Sequence, residues 1–494
     1  MARNIMIQGT MSGAGKSLLV TALCRIFRED GYRAAPFKSQ NMALNSYITA
    51  DGLEMGRAQA AQAEAAGLLP DVRMNPILLK PTSDVGSQVI VNGMVRGQYR
   101  AADYFKMKKS LIPDILSSYD SLAAENDILV IEGAGSPAEI NLKADDIVNM
   151  GLAKMVDSPV ILVGDIDPGG VFAQLYGTIA LLSPEERERI RGTVINKFRG
   201  DPGILRPGLQ MLEDLTGVPV LGVIPYTDAD IDDEDSLSGR LNRREHEKPI
   251  DIAVIRLPRI SNFTDFAPLE EHPLLGVRYV SSRAELGRPD MIILPGTKNT
   301  MGDLRWLRES GLEGQILRLA SSDTPVLGVC GGFQMLGKVI SDADGVEEGG
   351  EIAGMGLLPV RTSFSGKKMR TRVRARAIAG PFAGAALSAY EIHMGRTVAE
   401  EGTEPFAMTE PEGAKPDGAR SGNIFGTYLH GLFDSGELTE KLAEYLCSRR
   451  GIDASTYTPE SRTAYRERQY EKLANCVREN LDLEALYRII FEER

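Results

Sequence analysis

Two short segments carry residue types at spacings that could do chemistry. The first, Gly328-Val-Cys-Gly-Gly-Phe-Gln334, follows the largely apolar run Thr324 to Val329 and opens a helical pattern, which sets Cys330 on a sharp strand-to-helix turn. A Gly-x-Cys-x-Gly spacing suits a nucleophile elbow: the turn crowds the backbone at its central residue, and neighbours without side chains relieve the crowding. The thiol is then presented at the sheet edge, with a helix N-terminus behind it that is expected to favour the thiolate. Such a nucleophile needs a base and an oxyanion hole. His430, which ends a late strand in GTYLHGLF, is the expected base; His393 in YEIHMGR is the rival, and His246 and His272 fall in or near linkers. The expected oxyanion donors are the backbone N–H of Gly331 and one from the turn at Gly296 in LPGTKN.

The second segment is Gly9-Thr-Met-Ser-Gly-Ala-Gly-Lys-Ser17, between the strand pattern Asn4 to Gln8 and the helix pattern Leu18 to Arg28. A glycine-rich turn running into a helix aims backbone N–H groups at one point and cradles phosphate; Gly13 and Gly15 shape the turn, Lys16 adds a point charge, and Ser17 can ligate Mg²⁺. The spacing departs from the general pattern, since Gly9 lies one residue early and Thr10 stands at the first glycine position. Magnesium takes hard oxygen ligands, commonly a carboxylate beside phosphate oxygens. Glu132, closing the strand pattern Asp127 to Ile131, is the first candidate and Asp51 a second; Asp165 and Asp167 in GDIDPGG read more simply as turn residues. Asn196 in VINKF ends another strand on the same edge and is a candidate reader of an adenine ring.

The elements that must hold these segments form two α/β series. Short apolar runs at Asn4 to Gln8, Tyr32 to Phe37, Asp127 to Ile131, Pro159 to Val163, Gly192 to Asn196 and Pro219 to Ile224 alternate with helical patterns, which predicts a parallel sheet covered on both faces. The stretch 228–249, acidic in its first half and poor in apolar residues, reads as a linker between a first domain, 1–227, and a second, 250–436. The second repeats the alternation through IDIAVIRL, GVRYVSS, DMIILPG, TPVLGVCGG and Ile424 to Leu429; beyond it, 437–494 reads as a charged helical extension.

Length and composition agree with two such domains, since 494 residues exceed one core at about 150 residues per domain. A net charge of −12 without a basic block argues against a nucleic-acid partner, and no apolar run is long enough for a bilayer. The strand beginning at Ile5 leaves no signal-type hydrophobic region before it, so a cytoplasmic location is expected. Four cysteines make no disulfide framework; Cys24, Cys447 and Cys476 sit in helical patterns as inert residues.

The phosphate loop, with its displaced glycine, resembles the dethiobiotin synthetase-like branch of P-loop enzymes. The elbow and strand-end histidine resemble class I glutamine amidotransferases, which hydrolyse glutamine to glutamate and ammonia and whose fold is flavodoxin-like. Many of those enzymes carry Glu two residues after the histidine; here Leu432 stands there, as in the cobyrinate-type branch, and the residue that orients His430 is left unidentified. SQNMALNSYIT, EMGRAQAAQAEAA, NPILLKP, EGAGSPAEINL, RLPRISNFTDF, LPGTKNT, YEIHMGRT and GTYLHGLFD are together similar to the cobyric acid synthase family over nearly the whole chain. One departure is Pro168, where the family tends to have Arg.

The resemblance implies ATP and Mg²⁺ as cofactors, with glutamine and a corrinoid polycarboxylate as substrates. It further implies amidation of the b, d, e and g side chains of adenosylcobyrinic a,c-diamide. A polycarboxylate approaching an acidic protein needs local cations, and Lys38, Arg57, Lys80, Arg96 and Arg100 are candidate contacts. Three alternatives stay open: another two-domain amidoligase such as a cobyrinate a,c-diamide synthase, a P-loop switch ATPase with an inactive amidotransferase module, and a corrinoid-binding protein without activity.

Overall fold

The computed structural model describes residues 2–83, 86–232, 241, 248–410, 414–454 and 460–492. The chain forms two compact units: Met1–Met42 with Glu54–Glu234 and Thr463–Arg494, and Ala43–Leu53 with Asp235–Arg462.

The first unit is built on six parallel strands, β1 (Arg3–Gly9), β2 (Ala34–Phe37), β3 (Ile128–Glu132), β4 (Val160–Asp165), β5 (Ile190–Phe198) and β6 (Val220–Pro225), in the order β6-β5-β4-β1-β3-β2. Strands β3 and β4 are buried at every position, which is why they read as continuous apolar runs without alternation. The strand order reverses at β1, so the carboxyl ends of β1 and its neighbours open the crevice where an α/β sheet takes its ligand. The helix Lys16–Glu29 follows β1 directly and buries Leu19, Leu23, Ile26 and Phe27 against the sheet.

The second unit repeats the plan with β7 (Ile250–Ile255), β8 (Leu275–Val280), β9 (Met291–Leu294), β10 (Val326–Val329), β11 (Ala419–Ser421) and β12 (Ile424–Thr427), ordered β8-β7-β9-β10-β12-β11. All pairs are parallel except β11 with β12. Val329 on β10 is paired with Thr427 on β12, so the segments that follow these two strands emerge side by side. That register brings a cysteine and a histidine together across a long stretch of chain.

Three features differ from the organisation read from sequence. The C-terminal segment is divided: Glu437–Arg450 buries Leu438, Leu442 and Leu446 in the second core, whereas Tyr470, Leu473, Val477, Leu486 and Ile490 join the first. Gly222 on β6 permits this return, because a Cβ there would stand 2.2 Å from the carbonyl oxygen of Asn480.

The acidic linker falls largely outside the described residues. Its described start packs in the first unit, with Ile231 buried and Asp232 bonded to Arg57 at 2.8 Å and Arg466 at 3.1 Å. Acids that composition assigns to solvent are counter-ions for cations far away in sequence.

The third difference is that each unit carries antiparallel strands absent from the sequence reading, Ile77–Ser83, Gly86–Val91 and Met94–Arg100 in the first and Val360–Ala377 with Ala386–Ala399 in the second. Val360–Ala377 is dense in Arg and Lys, and Met94–Arg100 is mostly exposed, so neither presents an apolar run.

Candidate active sites

In the second unit the elbow has the strained backbone its glycines imply: Cys330 has φ 51° and ψ −106°, a positive φ on a residue with a side chain. The turn is clamped, since the Cys330 N–H donates to the Thr427 carbonyl at 2.8 Å and a Cβ on Gly332 would lie 2.0 Å from the carbonyl oxygen of Leu294. Only glycine lets the turn pack this closely on β9.

His430 is buried beside the elbow, near enough to Cys330 for the sulfur to bias its protonation. Its Nδ1 lies 2.6 Å from Asp265 Oδ2, while Asp265 Oδ1 accepts from the Gly431 N–H at 2.9 Å. One carboxylate thus fixes both the ring and the backbone after it, leaving Nε2 as the nitrogen that can exchange a proton with sulfur. Burial alone would lower the His430 pKa, but Asp265 and then Cys330 override it and push the value up to about 10. The arrangement therefore favours an imidazolium next to the sulfur.

Asp265 is the orienting group that sequence left unassigned. Its signal, visible only afterwards, is an acid in the turn Phe263–Phe266, where both flanking phenylalanines are buried. The rival base, His393, has Nδ1 2.7 Å from the Gly395 carbonyl and a ring stacked on Tyr428 at 3.8 Å; burial pushes its pKa down to about 4. That is a neutral, committed ring and a poor partner for a thiol. Gly296 and Gly331 do come to the site: a Cβ on Gly296 would stand 3.0 Å from His430 Cε1, and one on Gly331 would stand 3.1 Å from the Thr297 nitrogen.

In the first unit the phosphate loop follows β1 as its pattern requires. Gly13 and Gly15 take φ of 76° and 93°. A Cβ on Gly9 would lie 3.0 Å from Lys16 Nζ, so the early glycine marks where the lysine folds over the loop. Thr10 is occupied in holding the loop, its N–H on the Val163 carbonyl at 2.9 Å and its hydroxyl on Gln174 at 3.1 Å. Lys16 Nζ donates to the carbonyls of Met11 and Gly135, each at 3.1 Å.

Ser17 Oγ donates to Glu132 Oε1 at 2.8 Å, and the same carboxylate accepts from Lys38 at 2.8 Å and from Gln62 Nε2 at 2.6 Å. Burial would raise the pKa of Glu132, but the Lys38 ammonium, helped by the Gln62 and Ser17 hydrogen bonds, holds it below the ordinary range. The carboxylate is thus ionised although buried. Ser17 and Glu132 are hard oxygen donors side by side, and the buried Oε1 atoms of Gln8 and Gln62 have no hydrogen-bond partner among the described residues. This donor set fits Mg²⁺.

Other expectations need correction. Asp51 belongs to Ala43–Leu53, which groups with the second unit, and accepts from Thr49 at 2.5 Å. Asn196 turns its amide into the loop, donating to Ala14 O at 3.0 Å, and so supports the loop. Lys38, Arg57 and Lys80 are buried in ion pairs with Glu132, Asp232 and Glu54, each 2.8 Å long, while Arg96 and Arg100 are exposed. Asp165 is a structural acid, bonded to Lys197 at 2.7 Å. Cys24 and Cys447 are buried in helices. No helix among the described residues is long and apolar enough to cross a membrane.

Comparison with known proteins places both units. Residues 251–438 match the CobB/CobQ-like glutamine amidotransferase domain, and residues 5–238 match the CobQ/CobB/MinD/ParA nucleotide binding domain. The cobyric acid synthase of Ruminiclostridium cellulolyticum is 57% identical, over all of this chain and 98% of its own. That of Lachnoclostridium phytofermentans is 56% identical over the full length of both. A solved glutamine amidotransferase is similar over 41% of this chain and 99% of its own, at 19% identity and a TM-score of 0.29.

Proposed function

This chain belongs to the cobyric acid synthase family, and from that premise we propose that it amidates the b, d, e and g carboxylates of adenosylcobyrinic a,c-diamide, using ATP and glutamine. Two sites are needed because a carboxylate is a poor electrophile and free ammonia is scarce at neutral pH.

At the thiol site Cys330 attacks the side-chain amide carbon of glutamine. His430, protonated and held by Asp265, gives its proton to the departing ammonia, and the γ-glutamyl thioester is then cleaved by water that the neutral imidazole deprotonates. The N–H groups at Gly331 and Gly296 are the donors we assign to the tetrahedral oxyanion. At the phosphate site the loop amides and Lys16 hold the terminal phosphates of ATP while a substrate carboxylate takes the γ-phosphoryl group; the work is positioning and charge stabilisation. Mg²⁺ would be held by Ser17 and Glu132 and would offset charge on the phosphate oxygens. Ammonia then displaces phosphate from the acyl phosphate, giving the amide. A cavity of about 340 Å³ lined by Leu79, Tyr99, Tyr104, Phe105, Leu142 and Met150 borders Gly135, next to Lys16, and its apolar walls suit a macrocyclic acceptor.

The observation that carries this reading is the Cys330, His430 and Asp265 array in a chain that also holds a complete phosphate loop. The test is mass spectrometry of the product formed from adenosylcobyrinic a,c-diamide with ATP, Mg²⁺ and glutamine. Four successive carboxylate-to-amide changes are expected. An a,c-diamide left unchanged, with cobyrinic acid supplied in its place amidated only at a and c, would replace this reading with the diamide synthase one.

A further inference from the structure

The segment Ala43–Leu53 is connected at both ends to the first unit yet packs within the second. Its roots are fixed. Lys38, five residues before Ala43, holds Glu132 at the phosphate site, and Gln40–Met42 is paired with Ile77, Leu78 and Leu79. On the far side Glu54 is buried against Lys80 at 2.8 Å, and the Gly56 N–H donates to Asn75 at 3.0 Å.

Its tip lies against the thiol site. The Tyr390 hydroxyl donates to the Ser46 carbonyl at 3.2 Å and accepts from Asn262 at 2.7 Å. The Tyr390 ring stacks on His430, centroids 5.4 Å apart and planes at 20°, and the backbones of the two residues exchange hydrogen bonds of 3.0 and 2.8 Å. Ile48 packs with Tyr390 and Ile392, and the Ile392 carbonyl oxygen lies 3.7 Å from the Cys330 sulfur. Arg372 pins the tip, donating to the Ile48 carbonyl at 2.9 Å with its guanidinium 4.8 Å over the Tyr47 ring.

We propose that Ala43–Leu53 is a coupling arm and that Tyr390 is the positioning residue it acts on: the arm presents the Ser46 carbonyl to Tyr390, Tyr390 sets the plane of His430, and filling of the phosphate site shifts the arm through its roots. Glutamine hydrolysis then follows the readiness of the acceptor, which limits the waste of glutamine as free ammonia. The tie is covalent at both ends and short, which gives a displacement of the roots a direct path to Tyr390. The inference rests on the amidoligase reading above and deepens it.

Two variants of the full chain test it. Arg372→Met loosens the tip from outside the catalytic residues, and Tyr390→Phe removes the hydroxyl while keeping the stacked ring. Glutaminase kcat and KM are measured with and without ATP, Mg²⁺ and corrinoid a,c-diamide, together with the glutamate formed per amide made. The wild type is expected to hydrolyse glutamine faster with both co-substrates. Arg372→Met is expected to keep its basal rate but lose that acceleration, so that glutamate exceeds amide. Tyr390→Phe is expected to lose it too, with the change in kcat and not in KM. Ammonia-dependent amidation is expected to persist in both, which separates failure of the arm from failure of the amidoligase reading. A wild type indifferent to the co-substrates, or variants that keep the full acceleration and equal yields, would overturn the proposal. Equal losses of basal glutaminase and ammonia-dependent rates in both variants would also overturn it, since a general structural role produces that pattern.

Discussion

The two sites solve the problem of holding charge in opposite ways. At the thiol site the groups required for glutamine hydrolysis are already assembled, with Asp265 bonded to His430 and His430 beside Cys330. At the phosphate site the reactive groups are bonded to stand-ins: Lys16 rests on two backbone carbonyls, and Glu132 is neutralised by Lys38. A nucleophile and its base must be aligned before an uncharged amide arrives. A polyphosphate brings its own charge and can displace weaker partners as it binds. Preorganisation is therefore concentrated where the substrate cannot enforce it.

The contrast predicts which deletions the chain can survive in part. Cys330→Ala is expected to abolish glutamine-dependent amidation and to leave ammonia-dependent amidation near the wild-type rate. Lys16→Ala is expected to reduce both by roughly 10³-fold, as loss of a group that stabilises transition-state charge does. Amide yield measured with each nitrogen donor decides the matter. Equal loss of both activities in a folded Cys330→Ala protein would mean that the two sites are not separable.

Both nucleophile elbow and phosphate loop were legible in the sequence because each is local: glycines, a strand before and a helix after lie within a few residues. Parallel strands such as β3 and β4 were legible too, since burial on both faces makes them continuous apolar runs. Asp265 was not, because it lies 165 positions from His430 and only the sheet order joins them. The same holds for Asp232 with Arg466 and for Asp51, whose segment crosses to the other unit. Lys38 and Lys80 were read as cations facing substrate because composition cannot show a buried counter-ion. What sequence withheld was pairing over distance, together with antiparallel strands such as Val360–Ala377 and Met94–Arg100, whose charged or exposed residues make no apolar run.

Asp265→Asn sharpens the preorganised half of the comparison. Without the carboxylate, the His430 pKa is expected to drop from about 10 toward the ordinary imidazole value, so the imidazolium is lost at lower pH. Glutaminase kcat should fall by about 10² to 10⁴-fold, the usual range for general acid–base help. The alkaline limb of its pH profile should move down, while ammonia-dependent amidation is spared. A pH–rate profile with glutamine alone checks this, and an alkaline limb that stays in place would remove Asp265 from the role.

The stand-in half is probed by Lys38→Met, whose effect is on stability and metal demand more than on rate. Lys38 and Glu132 are both buried, so removing the cation leaves a charge without compensation, which costs about 3 to 5 kcal/mol. The sign with pH follows from the depressed pKa of Glu132. In the wild type its ionised form adds stability above the unfolded carboxylate value, near 4.3, and that contribution is lost as pH falls. In the variant burial dominates and raises the pKa, so the deficit in thermal midpoint should be small at acid pH and grow as pH rises. Mg²⁺ with ATP should restore part of the midpoint, because cation and phosphate take over the place of the lysine, and half-maximal activity should need less Mg²⁺ than in the wild type. If the deficit were instead the same at every pH and untouched by Mg²⁺ and ATP, Lys38 would be a permanent structural partner of Glu132 and the phosphate site would be as preformed as the thiol site.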